Sequence, residues 1–547
     1  MMCPLDPGFQ EYIRKTVGSL AALRPDFMMV DDDFRMISWR NCCFCELHRR
    51  GFAAPGESAA DFAARVDASP ELARRYDAWL QKTLVDLAAV IREAADTTDA
   101  AMPISFCTCV GDYRYANAII NALNPRGGQK VVRLNNSRYL TDSYRGFALR
   151  MYQTAVQVAA IDAPEIWAEP DTYPQNRYST GARAMHSHLT ASIWEGCTGG
   201  KFWISRFHTY EPESGRAYRE ILSRYSGFYR AVAELKPRPR GIAAPLPEEP
   251  FFNWNPLRTM EEAFRPLAAI LFGRMGLVSH FARRHDGAKV LTGSEAAVFS
   301  DRELREFLSS SLMLDGDAAI EFCRRGFAAE LGVKAEPWSA GRISGELLNG
   351  SELNEAAAGA FIVVGADSYK SVSCALLTPL SGDVRIHSSL VTQSFVGARD
   401  FKAVAPGLAT FVNPRGGKIV VFAGSMVGSI VQEFFFLNES RRKQLIGVLK
   451  WLDAMEVYLD GDAEVYLKYA DTTAGRALML LNLSADPIDE FDLVFPHGVP
   501  DVLQRLNEDG IWEPVKAVRM APDRLHVCRE LPTMLPEVIR IPPESRR

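Results

Sequence analysis

Three adjacent carboxylates, Asp31, Asp32 and Asp33, end an apolar run that begins at Phe27, and a Cys-x-Cys-x-x-His triplet, Cys43, Cys45 and His48, follows shortly after. A buried parallel strand delivers polar side chains in this way at its C-terminal edge, where α/β barrels keep their chemistry. Acids crowded at such an edge can hold or give up a proton, and thiols with an imidazole at this spacing can hold a soft metal. The same residues also read as an acidic strand end feeding a loop of ordinary buried thiols.

The elements that would position these groups alternate strictly. Apolar residues at helical spacing mark a helix from Gly8 to Leu23, helices rich in Ala, Leu and Arg occupy 58–95, and a further helix occupies 181–195. Between and after them fall five short strands, each running into polar residues. Phe27–Val30 leads to the aspartates, Ile104–Cys109 to Asp112, and Lys130–Leu134, which contains Arg133, to Asn135. Glu165–Ala168 leads to Glu169 and Asp171, and Gly200–Ile204 to Arg206 and His208. The pattern predicts a TIM-type parallel β/α barrel with its site at the C-terminal rim. Five strands are fewer than such a barrel uses, and an open set leaves two edges unpaired. The expectation is therefore an N-terminally truncated, partial barrel, or one closed by another segment.

At Lys236-Pro-Arg-Pro-Arg240 the composition shifts, which predicts a barrel domain over 1–236 and a second domain over 237–453. Alternation resumes there with strands at 241–246, 289–291 and 418–422, helices at 260–275, 301–309, 317–325 and 439–452, and a β-rich insertion at 361–392. This reads as a Rossmann-like three-layer domain; its first turn has no Gly-x-Gly-x-x-Gly, so a dinucleotide is not implied. From about Ala454 to the end, short strands between Asp, Asn, Pro and Gly turns predict an antiparallel β-sandwich over 454–547. A net charge of -5 on 547 residues, with scattered Lys and Arg, argues against a nucleic-acid partner. Neither a signal peptide nor a run long enough to span a membrane stands out, and ten cysteines are too few for a disulfide framework in so long a chain. Together these predict a cytoplasmic protein with no membrane partner.

The order Cys3-Pro4, helix, apolar strand, acidic strand end and Cys-x-Cys-x-x-His resembles glycoside hydrolase family 42, β-galactosidases with a barrel, a trimerisation domain and a small β domain. The resemblance implies one structural zinc held by Cys3, Cys43, Cys45 and His48, with His48 in place of a fourth cysteine and Cys42 as a spare. It implies that Asp33, or its neighbour Asp32, stands where the family has its acid/base glutamate, one methylene shorter. It places Glu169 as the nucleophile, in Ile166-Trp167-Ala168-Glu169-Pro170 ahead of the Gly199-Gly200 approach. It also implies that 237–453 is glutamine amidotransferase-like and serves assembly into a trimer. The turn Leu314-Asp315-Gly316-Asp317 has no cysteine where an amidotransferase would need one.

Two carboxylates flanking a glycosidic bond, one protonated and one ionised, suffice for retaining hydrolysis. Asp112, Arg133, Asn135, Tyr139, Arg206 and His208 are candidates for sugar hydroxyls, and Trp167, Trp203 and Trp254 for stacking on a pyranose face. Glu211 is a further candidate for substrate contact, whereas His186 and His188, two apart on a helix, read as structural. The expectation is a retaining glycosidase on a β-linked sugar, a galactoside by analogy. The rival is a non-catalytic remnant that binds carbohydrate or builds an oligomer. A third reading, a catalytic zinc, requires Cys3 to leave the ligand shell and open a coordination position.

Overall fold

Unbroken apolar runs form the central strands. Ile104–Cys107 (β2) and Val131–Arg133 (β3) are buried along their whole length, as parallel strands covered on both faces must be. Around them a computed structural model describes residues 3–31, 34–36, 43–108, 115–137, 146–205, 211–246, 271–283, 285–363, 373–395, 397–426 and 435–543. The chain packs as two units, the first drawn from Met1–Ser143 and Gln153–Arg224, the second from Tyr144–Tyr152, Tyr225–Phe252 and Phe264–Arg547.

The first unit holds a five-stranded parallel sheet in the order β1 (Met28–Val30), β2, β3, β4 (Glu165–Ala168) and β5 (Gly199–Gly200). Phe106, Val132 and Ile166 lie side by side in this register and are buried. The other face carries Cys107, Arg133 and Trp167, which are also paired neighbours, and by period-two alternation Glu169 and Lys201 follow on that face. The sheet is strongly curved about it. In a flat sheet β1 and β5 would stand about 19 Å apart, four spacings of about 4.8 Å. Yet Lys201, just after β5, reaches Asp31, just after β1, at 2.7 Å, and the rings of Phe27 and Trp167 meet with centroids 6.1 Å apart. Among the described residues no ladder joins β5 to β1.

Helices pack outside this sheet. The one at Pro7–Ala21 starts on an Asp6 cap that accepts from the Phe9 N–H, with Pro at its first turn. The longest, Pro70–Asp96, is capped by Ser69 and buries Tyr76, Leu80, Leu84, Leu87 and Ile91 at helical spacing. β5 is shorter than the expected Gly200–Ile204: its ladder ends where the Lys201 N–H donates to the Ala168 carbonyl at 2.9 Å.

In the second unit, five parallel strands stand in the order Ser279–Ala282, Ile242–Pro245, Lys289–Leu291, Leu312–Leu314, Lys418–Phe422. By chain position this is 2-1-3-4-5, the flavodoxin-like doubly wound arrangement. Four antiparallel strands, Lys402–Val412, Arg385–Thr392, Gly345–Leu348 and Phe361–Val363, extend it to nine. The last part of the chain forms a four-stranded and a six-stranded antiparallel sheet that share one core, including Leu459, Leu467, Leu480, Leu493, Leu525 and Ile539. Arg238–Pro239, at the expected domain boundary, is an edge strand of the six-stranded sheet, where a proline's missing N–H costs no ladder bond.

Candidate functional site

Each rim side chain is placed by a ladder that runs one residue past its strand. The Thr108 N–H donates to the Arg133 carbonyl and the Leu134 N–H to the Trp167 carbonyl, both at 2.8 Å. Glu169 breaks the series, because its N–H donates to the side-chain oxygen of Asn136 at 2.8 Å. The amide of Asn136 is fully buried and donates to the Thr154 and Ser192 hydroxyls at 2.8 and 3.1 Å. His188 bonds the Asn136 carbonyl at 2.6 Å. Glu169 is therefore aimed by a rigid amide anchored on two helices. Asn135, the neighbour singled out from sequence, is half-buried, with its backbone held between Thr108 and Gln157.

On the concave face these residues form a line of alternating charge. The Arg133 guanidinium is 3.0 Å from Glu169 and 3.6 Å from Asp31, and the side chains of Arg133 and Glu169 are only 2% and 6% exposed. Lys201 caps Asp31 at 2.7 Å, and the Cys107 thiol donates to the same carboxylate oxygen at 3.4 Å. Both acids touch one guanidinium, so their contacted oxygens lie within the about 9.5 Å that two-carboxylate glycoside hydrolysis spans.

The two acids are tuned in opposite directions. Burial pushes Glu169 up to about 7, against the pull of Arg133 and with a further push from Asp171. Burial would also lift Asp31, but the bond and charge of Lys201, helped by Cys107 and Arg133, hold it below its ordinary value. Asp31 is thus suited to stay ionised, whereas Glu169 can carry a proton or lose it near neutrality. Sequence reading passed over Lys201, Cys107 and Asn136, and treated Asp31 only as a neighbour. Strand register, with period-two alternation inside each strand, puts Asp31, Cys107, Arg133, Glu169 and Lys201 on one face, and that register is not local to any of them. Asp32, Asp33, Asp112, Tyr139, Arg206, His208, Trp254 and Cys42 lie outside the described residues.

Two aromatic candidates fall within reach of description. Trp167 lies on the concave face, with its indole N–H donating to Glu165 at 3.2 Å. Trp203 is exposed and stacks obliquely with Tyr173, ring centroids 5.9 Å apart. His186 and His188 are buried on the helix Ala182–Trp194, and burial pushes His186 down to about 3. Glu211, at the start of the short turn that follows, is exposed.

The cysteine loop assembles on the same unit. Cys45 lies 3.2 Å from Nδ1 of His48 and 3.6 Å from the sulfur of Cys3, and Cys3 lies 3.4 Å from that nitrogen. Tetrahedral zinc with bonds of about 2.3 Å to sulfur and about 2.0 Å to nitrogen would set such pairs roughly 3.5–3.8 Å apart, so the three fit with little adjustment. The Cys43 thiol bonds to Cys45, and the Tyr76 hydroxyl donates to the Cys43 carbonyl. Burial lifts Cys3 to about 11, whereas bonds from the His48 backbone and the neighbouring thiols overcome burial and lower Cys45. His48 is fully buried and its pKa is lowered by burial, which keeps the imidazole in the neutral form that ligates metals.

No family model matches the sequence, and no curated protein does. Solved structures do match. A β-galactosidase from Bacillus circulans sp. alkalophilus superposes with a TM-score of 0.59 at 11% identity, over 98% of this chain and 83% of that one. A catalytic mutant of Gan42B, a GH42 β-galactosidase from G. stearothermophilus, gives 0.56 at 10% identity, over 99% and 82%. The β-galactosidase of the psychrophilic Marinomonas ef1 gives 0.54 at 8% identity, over 98% and 83%. The fold of this chain is that of the family-42 β-galactosidases; identities this low speak for the fold alone.

Proposed function

We propose that this protein hydrolyses a β-linked glycoside with retention of configuration, as a β-galactosidase-like enzyme with Glu169 as its nucleophile. The observation that supports it most is Glu169 itself. It ends a parallel strand on the concave face of the sheet, buried at 3.0 Å from Arg133, in a β-galactosidase fold. In this reading the ionised Glu169 attacks the anomeric carbon and forms a glycosyl-enzyme, while a second carboxyl protonates the departing oxygen. Water then attacks, activated by the same second carboxyl, and frees the sugar. Asp31, held ionised by Lys201, is a poor proton donor, so the acid falls to Asp33 or Asp32. Arg133 keeps Glu169 from settling permanently into its protonated form.

Turnover of nitrophenyl glycosides tests this. The unmodified chain should release nitrophenol, and Glu169→Gln should lose at least about a thousandfold. Retention of full activity by Glu169→Gln rejects the assignment. The second reading, a carbohydrate-binding or oligomer-building relative without turnover, draws support from the neutralisation of Glu169 by Arg133 and of Asp31 by Lys201. Retention on a sugar matrix without release of nitrophenol would favour it.

Cys3, Cys43, Cys45 and His48 are proposed as a structural zinc site that ties the N-terminus to the loop after β1. When bound, the ion would supply cross-linking and no chemistry on substrate. Its support is the fit of three ligand atoms that lie within 4.8 Å of one another. Zinc content unchanged in Cys43→Ser would remove that residue from the set. A homotrimer, assembled through the layered part of the second unit, completes the proposal; sedimentation at equilibrium measures it.

A further inference from the structure

A second group of metal-ligating side chains stands on the four-stranded sheet near the end of the chain, far in sequence from the cysteine loop. Two antiparallel strands, Phe491–Val494 and Arg524–Val527, pair Asp492 directly with His526. Glu490 precedes the first strand and Cys528 follows the second, so the antiparallel register brings these two ends together as well. One ligand atom from each of Glu490, His526 and Cys528 lies within 4.8 Å of the other two.

The imidazole is oriented as metal-bound imidazoles are. Its Nδ1 contacts Asp492 at 2.8 Å, and its Nε2 points at a Glu490 oxygen 3.0 Å away. A histidine ligand commonly donates its second ring N–H to a carboxylate, which selects the tautomer and aims the free nitrogen at the metal. Asp492 is itself immobilised, because its other oxygen accepts from Arg524 at 2.8 Å. Arg524 in turn is paired with Asp460 at 2.8 Å, so this cation is neutralised by two acids. Two ligands about 2.0–2.2 Å from one tetrahedral zinc ion stand roughly 3.3–3.6 Å apart, so Nε2 and the Glu490 oxygen, 3.0 Å apart in a hydrogen bond, would part by only a few tenths of an ångström to admit it. A simple surface ion pair would explain His526 and the two acids, but not the thiol placed beside them.

We propose that Glu490, Nε2 of His526 and the sulfur of Cys528 form a zinc site that clasps the two strands, with Asp492 as its orienting carboxylate. The donor set, one thiolate, one imidazole and one carboxylate, suits zinc better than calcium or magnesium, which prefer all-oxygen shells. Three protein ligands leave the fourth position to water, and Glu490 faces solvent, so the site is accessible to an ion from bulk.

Equilibrium dialysis of the whole protein against buffered zinc, followed by counting bound metal, tests the site by difference. His526→Gln and Cys528→Ser should each bind one zinc fewer per chain than the unmodified protein. Asp492→Asn should keep the full count but bind that last ion about 10–100-fold more weakly. The affected side chains lie at the surface end of a strand pair, and the circular dichroism of each variant should match that of the parent. Equal zinc counts in the parent, His526→Gln and Cys528→Ser proteins would overturn the proposal. So would a loss in only one of the two variants, since both side chains are required ligands. Loss of the ion bound by the Cys3 loop is distinguishable, because only variants of that loop would lower the count a second time.

Discussion

Glu169 and Asp315 invite comparison. Each follows a parallel strand, one in the five-stranded sheet and one in the nine-stranded sheet, and burial pushes both carboxyls up to about 7. Their surroundings differ in kind. Asp315 caps the helix Gly316–Arg324 and, among the described residues, accepts only backbone N–H groups, from Gly293, Ala318 and Met426 at 2.8–3.0 Å. The next residue must be glycine, because a Cβ there would sit 2.2 Å from the Ala423 carbonyl oxygen. Backbone amides from three segments therefore hold Asp315. Glu169 takes one backbone bond, from Ser137, but is faced by the charged side chains of Arg133 and Lys201, with Asp31 beyond them. A raised pKa marks burial in both places. What separates a clasp from a candidate nucleophile is whether charged side chains, as well as main-chain amides, face the carboxyl.

The sharpest way to break this comparison is to remove each carboxylate. Glu169→Gln should abolish glycoside turnover, whereas Asp315→Asn should leave turnover per folded molecule within about twofold. Asp315→Asn should instead lose about 1–3 kcal/mol in urea unfolding, because an amide presents a donor where backbone donors already converge. Loss of activity without loss of stability in Asp315→Asn would erase the distinction.

Arg133→Met comes next in size. Removing the guanidinium leaves Glu169 buried without its cation, and breaking such a pair costs about 3–5 kcal/mol unless the acid takes up a proton. Uptake would show as a shift of the turnover profile toward higher pH.

The pH profile of the unmodified protein sharpens the role of Glu169. A nucleophile must be ionised, so turnover should fall as pH drops through about 7 and the carboxyl protonates. Were Glu169 the proton donor, turnover would fall in the opposite direction, as pH rises through the same value. The smallest effect belongs to Lys201→Met. Its partner Asp31 is 74% exposed, so stability should change by no more than about 1 kcal/mol. The Asp31 carboxyl should return toward its ordinary pKa, measurable by NMR titration.

Much of the framework was legible because it depends on local periodicity. Glu165–Ala168, Lys289–Leu291, Lys418–Phe422 and Glu537–Ile541 form strands where apolar runs predict them. The strand Lys402–Val412 was not legible, because Pro406-Gly407 reads as a turn. The structure absorbs that pair in a strand whose register with Arg385–Thr392 shifts at Ser388, and Gly407 leaves room for the side chains of Ser388 and Glu346. Glu169 was found from its place after a strand. Lys201 was missed because nothing local to it marks chemistry.

Sequence alone determined which residues alternate, hence which side chains share a face, because side-chain direction in a strand follows from backbone geometry within a few residues. It also determined that soft ligands crowd near the N-terminus, since spacing there is a local property. Tertiary structure alone decided that the first and fifth strands approach closely enough for Lys201 to neutralise Asp31. It alone decided that Asn136 aims Glu169, and that His526 meets Cys528 and Glu490. Those are contacts across sheet curvature and strand register, set by the packing of whole elements, and no short stretch of chain encodes them.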